Sequence, residues 1–197
     1  MPDTARKLMT VDEFLIWQLD QDARYELVDG VPVEMMSGAS GAHDTIVTNI
    51  ISALRPQLRG TPCRVASADT AIRTKIRASR RSDVLVTCDP ATTDRYEALE
   101  PRLVVEVLSP SNAGVRWERK MAEYRRHPKL QYILVVDSLS VAATLYTRSG
   151  GDWETTDSDR LTDVFELTAI GCRLSMQDMY EETGLTEAGG RPESPDL

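Results

Sequence analysis

One acidic residue stands in the middle of an apolar run. Glu106 lies within residues 103–108, where every other position is leucine or valine. A run of this length and composition is typical of a central strand covered on both faces. Burying a carboxylate there is costly unless a lysine, a hydrogen-bond network or a metal ion pairs with it. Glu106 is therefore a candidate site residue, and the alternative is a sheet margin or an isolated salt bridge.

A second acid opens another apolar run. Asp83 precedes residues 84–88, which also have strand length and composition. An adjacent strand would bring Asp83 beside Glu106, although an aspartate at the start of a strand is by itself more typical of a turn. Two carboxylates that converge from neighbouring apolar strands favour an oxygen-coordinated cation such as Mg²⁺ or Mn²⁺.

Glu26 is the third candidate acid. It lies in a short run at residues 25–28, where strand alternation places Glu26 and Val28 on one face. The alternative is a hairpin residue that faces solvent.

Lys120 is the candidate cation. It lies three residues after Trp117 and four before Tyr124, which belong to an apolar helical stripe. Lys120 therefore borders the buried face of that helix, where it could neutralise Glu106 or orient a metal-bound water. An ordinary lysine whose stem covers apolar surface is the alternative.

The two histidines have different interpretations. His43 opens a long predicted helix and is a candidate helix-start contact, metal-site neighbour or proton carrier. His127 lies at a helix end and is interpreted as structural. Because the chain has only 2 histidines, a histidine-rich zinc site is excluded.

Local signals predict the elements that must position these side chains. Thr10 and Glu13 form a capping box before a short helix, and Asp29-Gly30 predicts a hairpin turn. A second helix should span residues 43–58 and kink or end early at Pro56. Later helices are predicted around residues 117–124 and 176–182. The predicted strands are residues 25–28, 31–36, 63–68, 70–76, 83–88, 103–108, 131–136, 142–146 and 164–167.

Charge is distributed unevenly along the chain. The net charge of −8 argues against indiscriminate binding to nucleic acid. Residues 55–129, however, carry 16 basic and 9 acidic side chains. This excess is either an uneven scatter over solvated faces or a local surface that contacts phosphate. Five basic residues just before Asp83 are candidates for such contacts or for the solvated face of an edge hairpin: Arg73, Lys75, Arg77, Arg80 and Arg81.

Composition favours one globular domain at residues 1–185, with a disordered tail at 186–197. No apolar run is long enough to span a membrane, and no apolar signal core follows the N-terminal residues. Cys63, Cys88 and Cys172 have no paired spacing, and we interpret them as small buried side chains in a reducing compartment, without a disulfide or zinc site. A cytoplasmic location is expected.

Taken together, these motifs resemble the Uma-two family of restriction endonuclease-like proteins, within the PD-(D/E)xK nuclease superfamily. The resemblance runs from about Met9 to about Leu185. It is carried by these blocks: Tyr25-Glu26-Leu27-Val28-Asp29-Gly30, His43, Ser82-Asp83-Val84, Leu103-Val104-Val105-Glu106-Val107-Leu108-Ser109-Pro110-Ser111, Lys120, Glu123-Tyr124-Arg125 and the strand at 132–137.

The resemblance implies an α/β restriction-endonuclease-like fold, with a central mixed β-sheet flanked by helices, and a homodimer. It also implies Mg²⁺-dependent (or Mn²⁺-dependent) hydrolysis of phosphodiester bonds in DNA. In that superfamily the lysine usually follows the second acid on its own strand, at the position that Leu108 occupies here. In this branch the lysine lies on the following helix, where Lys120 stands.

The same resemblance implies a role for each candidate. Asp83 and Glu106 would bind the ion, and Glu26 would contribute directly or through water. Lys120 would orient the attacking water and stabilise the charge that develops on phosphate, with His43 assisting at the edge.

Three residues depart from the family pattern. Ser82 replaces the usual proline, Asn112 the usual threonine, and Arg116 a common aspartate. Arg116 adds a positive charge one helical turn from Lys120 and is a candidate phosphate contact. These departures and the acidic total favour a second hypothesis, a catalytically inactive nuclease-fold module for binding or assembly. Hydrolysis of another phosphate or a glycosidic bond is a third, but it gives Lys120 and the basic segment no role.

Overall fold

A computed structural model describes residues 8–35, 40–90, 96–109 and 115–187. Its helices are α1 (Val11–Gln18), α2 (Gly41–Gln57), α3 (Val115–Arg126) and α4 (Met176–Tyr180). Its strands are β1 (Tyr25–Val28), β2 (Val31–Glu34), β3 (Arg64–Ser67), β4 (Ala71–Lys75), β5 (Ala78–Arg80), β6 (Val84–Thr87), β7 (Glu97–Ala98), β8 (Pro101–Leu108), β9 (Tyr132–Asp137), β10 (Ala143–Ser149), β11 (Asp152–Ser158), β12 (Val164–Leu167) and β13 (Cys172–Ser175).

The predicted central mixed sheet flanked by helices is confirmed. Six strands follow the order β11-β10-β9-β8-β6-β3, in which β8 and β9 are parallel and the other neighbours are antiparallel. Helix α2 packs on one face through Ile46, Ile50 and Leu54, and α3 packs on the other through Met121 and Tyr124. The apolar spacing of both helices produces this three-layer arrangement, because each buries one stripe against the sheet.

Alternation along β8 decides which helix faces Glu106. Leu103, Val105 and Val107 belong to the apolar core beneath α2, whereas Val104 belongs to the core beneath α3. Glu106 shares the parity of Val104, so its side chain points toward α3. The strand therefore has a uniformly apolar side and a side that carries one carboxylate.

A second sheet, with the order β2-β1-β5-β4-β7, carries Glu26 on β1. The predicted Asp29-Gly30 hairpin is confirmed, and both turn residues have positive φ, 47° and 84°, as a tight turn between twisted strands requires. The predicted capping box begins α1, which packs Val11 and Phe14 against Leu27.

Four strands were not predicted from the sequence: β5, β7, β11 and β13. For β5 and β11 the physical reason is clear. β5 is three residues long and ends in Arg80, and β11 is mostly acidic and polar. Neither has the apolar alternation that indicates a half-buried strand. Both take their place through backbone pairing with a neighbour, β5 with β4 and β11 with β10.

The interpretation of the cysteines is wrong for two of them. Cys63 and Cys88 form a disulfide, while Cys172 is free and buried. Strands β3 and β6 are antiparallel with Arg64 opposite Thr87, so the next pair along the register is Cys63 and Cys88. Strand pairing, which the spacing of 25 residues does not reveal, brings the two together. The disulfide removes the cysteine argument for a reducing compartment, and a cytoplasmic location stays a prediction.

Helix boundaries differ slightly from expectation. Helix α2 runs through Pro56 and ends at Gln57, and α4 ends at Tyr180, two residues earlier than predicted. Among the described residues, no helix has the length and apolar character needed to cross a membrane. The expected tail lies outside the described residues from position 188 onward, as do Pro110, Ser111 and Asn112.

The C-terminal end of α3 is held by the β10–β11 hairpin. Arg148 donates through Nη2 to the carbonyl oxygens of Arg125 at 3.1 Å and His127 at 2.7 Å. The indole N–H of Trp153 also donates to the Arg125 carbonyl, at 3.0 Å. The last carbonyl groups of a helix have no hydrogen-bond partners inside the helix. The side chains of Arg148 and Trp153 provide donors for such groups here.

Candidate active site

Strand register brings Asp83 and Glu106 together. Val84 of β6 lies opposite Val105 of β8, so Asp83, one residue before, lies across from Glu106, one residue after. An Asp83 carboxylate oxygen accepts the backbone N–H of Val107 at 2.8 Å. This bond fixes the aspartate at the margin of the strand, where directly opposed side chains are about 5 Å apart at Cβ.

Glu106 is buried and fully engaged by the helix above it. The Lys120 ammonium lies 2.8 Å from Oε1 and 2.9 Å from Oε2, and the Tyr124 hydroxyl donates to Oε1 at 2.8 Å. Burial raises the pKa of Glu106 to about 7, and the neighbouring charge of Asp83 acts in the same direction, while Lys120 opposes both. The carboxylate is thus short of compensating positive charge even with a lysine in contact.

Lys120 is surrounded by acceptors. Besides Glu106, its ammonium contacts Glu26 Oε1 at 3.0 Å and the carbonyl oxygen of Arg81 at 2.7 Å. Burial alone lowers the pKa of this ammonium, but Glu106 and Glu26 outweigh it and hold the pKa above its ordinary value. Lys120 therefore carries a full positive charge near neutral pH, with its three N–H donors directed at fixed oxygens.

Glu26 faces the interior, unlike the solvent-facing alternative considered for it. Its carboxylate accepts the Arg81 backbone N–H and an Arg80 guanidinium N–H, both at 3.0 Å, in addition to contacting Lys120. Burial would raise the pKa of Glu26, but Lys120 and Arg80 overcome it and lower the pKa. Glu26 is thus joined to the site through Lys120.

His43 approaches Asp83 from the N-terminus of α2. Its Nε2 lies 3.5 Å from an Asp83 carboxylate oxygen. This contact raises the pKa of His43 and burial opposes the rise. The imidazole is placed to exchange a proton at the Asp83 edge of the site.

The basic residues before Asp83 separate into two groups. Arg80 and Arg81 are buried, so the expectation that they lie on a solvated hairpin face or track nucleic acid is corrected. Their guanidinium groups bond within the protein because carboxylates and carbonyls of β1 and its neighbours surround them. Arg73 is bonded to Asp12 and Glu97. The exposed members are Lys75 and Arg77, together with Arg116 on the first turn of α3.

Several residues at this site were not assigned functional roles from sequence. Tyr124 was recognised only as part of the apolar stripe, although its position four residues after Lys120 puts both on one helix face. Glu123 and Arg80 form a buried ion pair, for which the sequence carries no signal. At the departure Ser82, the hydroxyl that takes the place of the usual proline ring donates to the Val84 carbonyl at 2.9 Å.

The side chains at this site offer two carboxylates to a hard divalent cation but no third ligating side chain within the described residues. Asp83 and Glu106 supply carboxylate oxygens, and Mg²⁺ is often held by one or two carboxylates together with water and substrate phosphate. Within the described ranges, no group of three or more His, Cys, Asp or Glu side chains is arranged to hold a metal ion. The expected third acid, Glu26, is therefore not gathered with the other two as a direct ligand. Asp83 and Glu106 fit the implied metal as a pair.

Two Synechocystis proteins are similar to this chain over most of its length. The chain is 33% identical over 178 residues to an uncharacterized Synechocystis protein, slr1290, covering 87% of this chain and 91% of the relative. A second Synechocystis protein, sll1609, is 28% identical over 150 residues, covering 73% and 83%.

A solved structure has the same fold. The crystal structure of an Anabaena variabilis protein described as a "putative nuclease belonging to DUF820" superposes with a TM-score of 0.71. The likeness covers 89% of this chain and 99% of that one at 18% identity. The model of the Uma2 family, described as "Putative restriction endonuclease", matches residues 11–177. With a match over most of its length, the chain belongs to the Uma2 family.

Proposed function

We propose that this protein is a metal-dependent endonuclease that hydrolyses phosphodiester bonds in DNA. The observation that carries the proposal is the convergence of Asp83 and Glu106 from paired strands, with the Lys120 ammonium in contact with Glu106. Family membership supports a nuclease. The metal, the DNA substrate and the residue roles are our inference from the chemistry of these side chains.

Each side chain has a distinct role in the proposal. Asp83 and Glu106 would hold Mg²⁺ or Mn²⁺, which when bound polarises the phosphate and lowers the pKa of water. The Val107 N–H orients Asp83. Lys120 orients the attacking water and stabilises the negative charge that develops on phosphate. His43 takes up or returns a proton at the Asp83 edge, and Glu26 acts through Lys120 or through water.

Contacts to the DNA backbone would come from basic residues that remain exposed. Lys75, Arg77 and Arg116 are exposed. Lys75 ends β4 and Arg77 lies in the turn after it, and the Lys75 ammonium is 3.7 Å from Glu123 of α3. Arg73 keeps a lesser part in the proposal because Asp12 and Glu97 already bind it. Such contacts predict binding that weakens steeply as salt rises. A homodimer, also part of the proposal, would allow both strands to be cut, and light scattering tests it.

One set of observations favours a second candidate, a nuclease-fold module without catalysis. Both Glu106 oxygens already accept hydrogen bonds from Lys120 or Tyr124. A lysine that neutralises the acid could substitute for a metal structurally. Under this hypothesis the charged cluster stabilises and specifies the fold, and the protein binds partners through its surface.

Metal titration and cleavage on the same samples separate the two candidates. Mg²⁺ and Mn²⁺ are titrated calorimetrically into wild type and Glu106→Gln, which keeps the side-chain volume, and each sample is assayed for plasmid nicking. Saturable binding and nicking by wild type, both lost in Glu106→Gln, would support the nuclease. Glu166→Gln, an exposed glutamate of β12, is the matched control. No binding at millimolar metal and no nicking would favour the module.

A further inference from the structure

A buried ion pair lies one helical turn from Lys120. Arg80 donates through Nε and Nη2 to the two carboxylate oxygens of Glu123, at 2.8 and 3.1 Å. The two side chains are 4% and 1% exposed. Nη1 of the same guanidinium donates to Glu26 at 3.0 Å. One arginine thus joins a carboxylate of strand β1 to a carboxylate of helix α3, through a planar fork that tolerates little change of geometry.

These contacts close a ring around the candidate lysine. Glu123 follows Lys120 by three residues, so the two lie on neighbouring turns of one helix face. Glu26 accepts from both Arg80 and Lys120. The ring therefore runs from Glu123 to Arg80, to Glu26, to Lys120 and back along α3.

The ring matters because Lys120 lies on a helix, and the position of its side chain therefore depends on how that helix docks. A lysine on a strand takes its position from the hydrogen-bond register of the sheet. Here, however, position 108 at the end of β8 is leucine, and the lysine in contact with Glu106 lies on α3. The docking of a helix can change, since helices at subunit interfaces shift by about 1–2 Å in switching transitions. A bidentate bond between α3 and the sheet limits such a shift.

The distribution of charge also favours a role for the Arg80–Glu123 pair in docking α3 against the sheet. Lys75 and Arg119 lie 3.7 and 3.4 Å from Glu123, so positive charge is concentrated at the Glu123 end of the cluster. Negative charge is concentrated at the other end, where Asp83 lies across from Glu106. Buried ion pairs add little stability compared with apolar packing, so stability alone is a poor reason for this arrangement.

We propose that Arg80 and Glu123 are positioning residues that fix the docking of α3 and so hold the Lys120 ammonium against Glu106. The purpose of this arrangement rests on the proposed function. The docking itself does not, because it can be observed without metal or substrate.

The first test observes the Lys120 ammonium by NMR of ¹⁵N-labelled lysine side chains, in the full chain with EDTA. Its signal is assigned by its absence in Lys120→Arg. Arg80→Lys keeps the charge and loses the fork, so we expect the Lys120 signal to shift or broaden. The matched control is Arg102→Lys, because Arg102 pairs with Glu100 at the surface. An unchanged signal in Arg80→Lys would overturn the proposal.

A second variant guards against a simple failure to fold. Glu123→Gln keeps the shape of the Arg80 partner and removes its charge, and far-ultraviolet circular dichroism of both variants reports the fold. We expect the same change of the Lys120 signal in any variant that keeps a wild-type spectrum. A folded Glu123→Gln protein with a wild-type Lys120 signal would count against the positioning role.

Kinetics then distinguish positioning from general destabilisation. We expect Arg80→Lys to lower kcat about 10- to 100-fold, the effect of displacing a group by roughly 1 Å, while KM and Mn²⁺ affinity stay unchanged. A parallel loss of Mn²⁺ affinity would overturn the proposal, because it would place Arg80 in the electrostatics of metal binding. If wild type does not cleave DNA, the proposed function fails, and the NMR signal alone decides the positioning role.

Discussion

Two clusters in this protein have the same chemistry and different surroundings. In one, Arg73 lies between Asp12 and Glu97 and is 33% exposed. In the other, Lys120 lies between Glu26 and Glu106, and none of the three side chains is more than 14% exposed. Each cluster is a cation between two carboxylates.

The difference shows that burial, more than pairing, gives a charged cluster its chemical character. Water screens the Arg73 cluster, and exposed ion pairs of this kind contribute about 0–1 kcal/mol. In the Lys120 cluster, loss of one partner leaves an uncompensated charge in the interior, which costs about 3–5 kcal/mol. Burial is also what raises the pKa of Glu106.

The largest expected effect comes from removing the buried cation. We predict that Lys120→Met lowers the free energy of unfolding by about 3–5 kcal/mol, because Glu26 and Glu106 then share a buried site without it. Urea denaturation measures this change. Lys129→Met is the control, since Lys129 pairs with Glu100 at the surface. Equal effects in the two variants would remove the distinction between buried and exposed clusters.

A pH titration of stability sharpens the same comparison. Burial raises the pKa of Glu106 from 4.5 to about 7, so the folded chain retains a proton that the unfolded chain releases. This group favours folding below about pH 4.5, and its contribution is lost as the pH rises to about 7. We predict that Glu106→Gln in EDTA lacks this loss, which is at most about 3 kcal/mol. Parallel curves for wild type and variant over that window would contradict the prediction.

Removing one hydrogen bond to the buried carboxylate has a smaller effect. The Tyr124 hydroxyl donates to Glu106 at 2.8 Å, and a bond to a charged group is worth about 1.5–3 kcal/mol. We predict that Tyr124→Phe lowers the free energy of unfolding by about 2 kcal/mol at pH 8, where Glu106 is ionised. The loss should shrink near pH 5, where Glu106 is protonated. A loss that does not depend on pH would assign the effect to packing.

The smallest effect is expected in the exposed cluster. Arg73→Gln should change the free energy of unfolding by less than about 1 kcal/mol. Any change should diminish as salt rises from low to about 1 M, because salt screens exposed charges. A larger change that is insensitive to salt would show that the Arg73 cluster behaves like the buried one.

The sequence indicated the candidate site residues where a single strand carries its own signal. The acids at positions 83 and 106 stand out because each interrupts or opens an apolar run, and the central strands were found by the same pattern. The lysine was found because a helical stripe defines which residues border its face. These features depend on local periodicity, which a single amino-acid sequence shows directly.

What could not be predicted depends on which elements become neighbours. The burial of Arg80 and Arg81 depends on carboxylates and carbonyls that other parts of the chain supply. The sequence alone therefore left both residues as either phosphate contacts or the solvated face of an edge hairpin. The Cys63–Cys88 disulfide follows from the pairing of β3 with β6. Spacing along the chain carries no information about either.

Because Arg148 and Trp153 hold the C-terminal end of α3, a change at that end can tilt the whole helix. Lys120 and Arg125 are about 8 Å apart along the helix axis, at 1.5 Å per residue. Arg125 is the residue of α3 whose carbonyl oxygen accepts hydrogen bonds from the β10–β11 hairpin. A tilt of α3 by only about 7° about Arg125 would move the lysine by roughly 1 Å, and a displacement of that size can lower the rate of a catalysed reaction about 100-fold. We therefore expect a nick or a substitution in the β10–β11 hairpin to shift the lysine, so the unit that positions Lys120 extends well beyond the residues in contact with it.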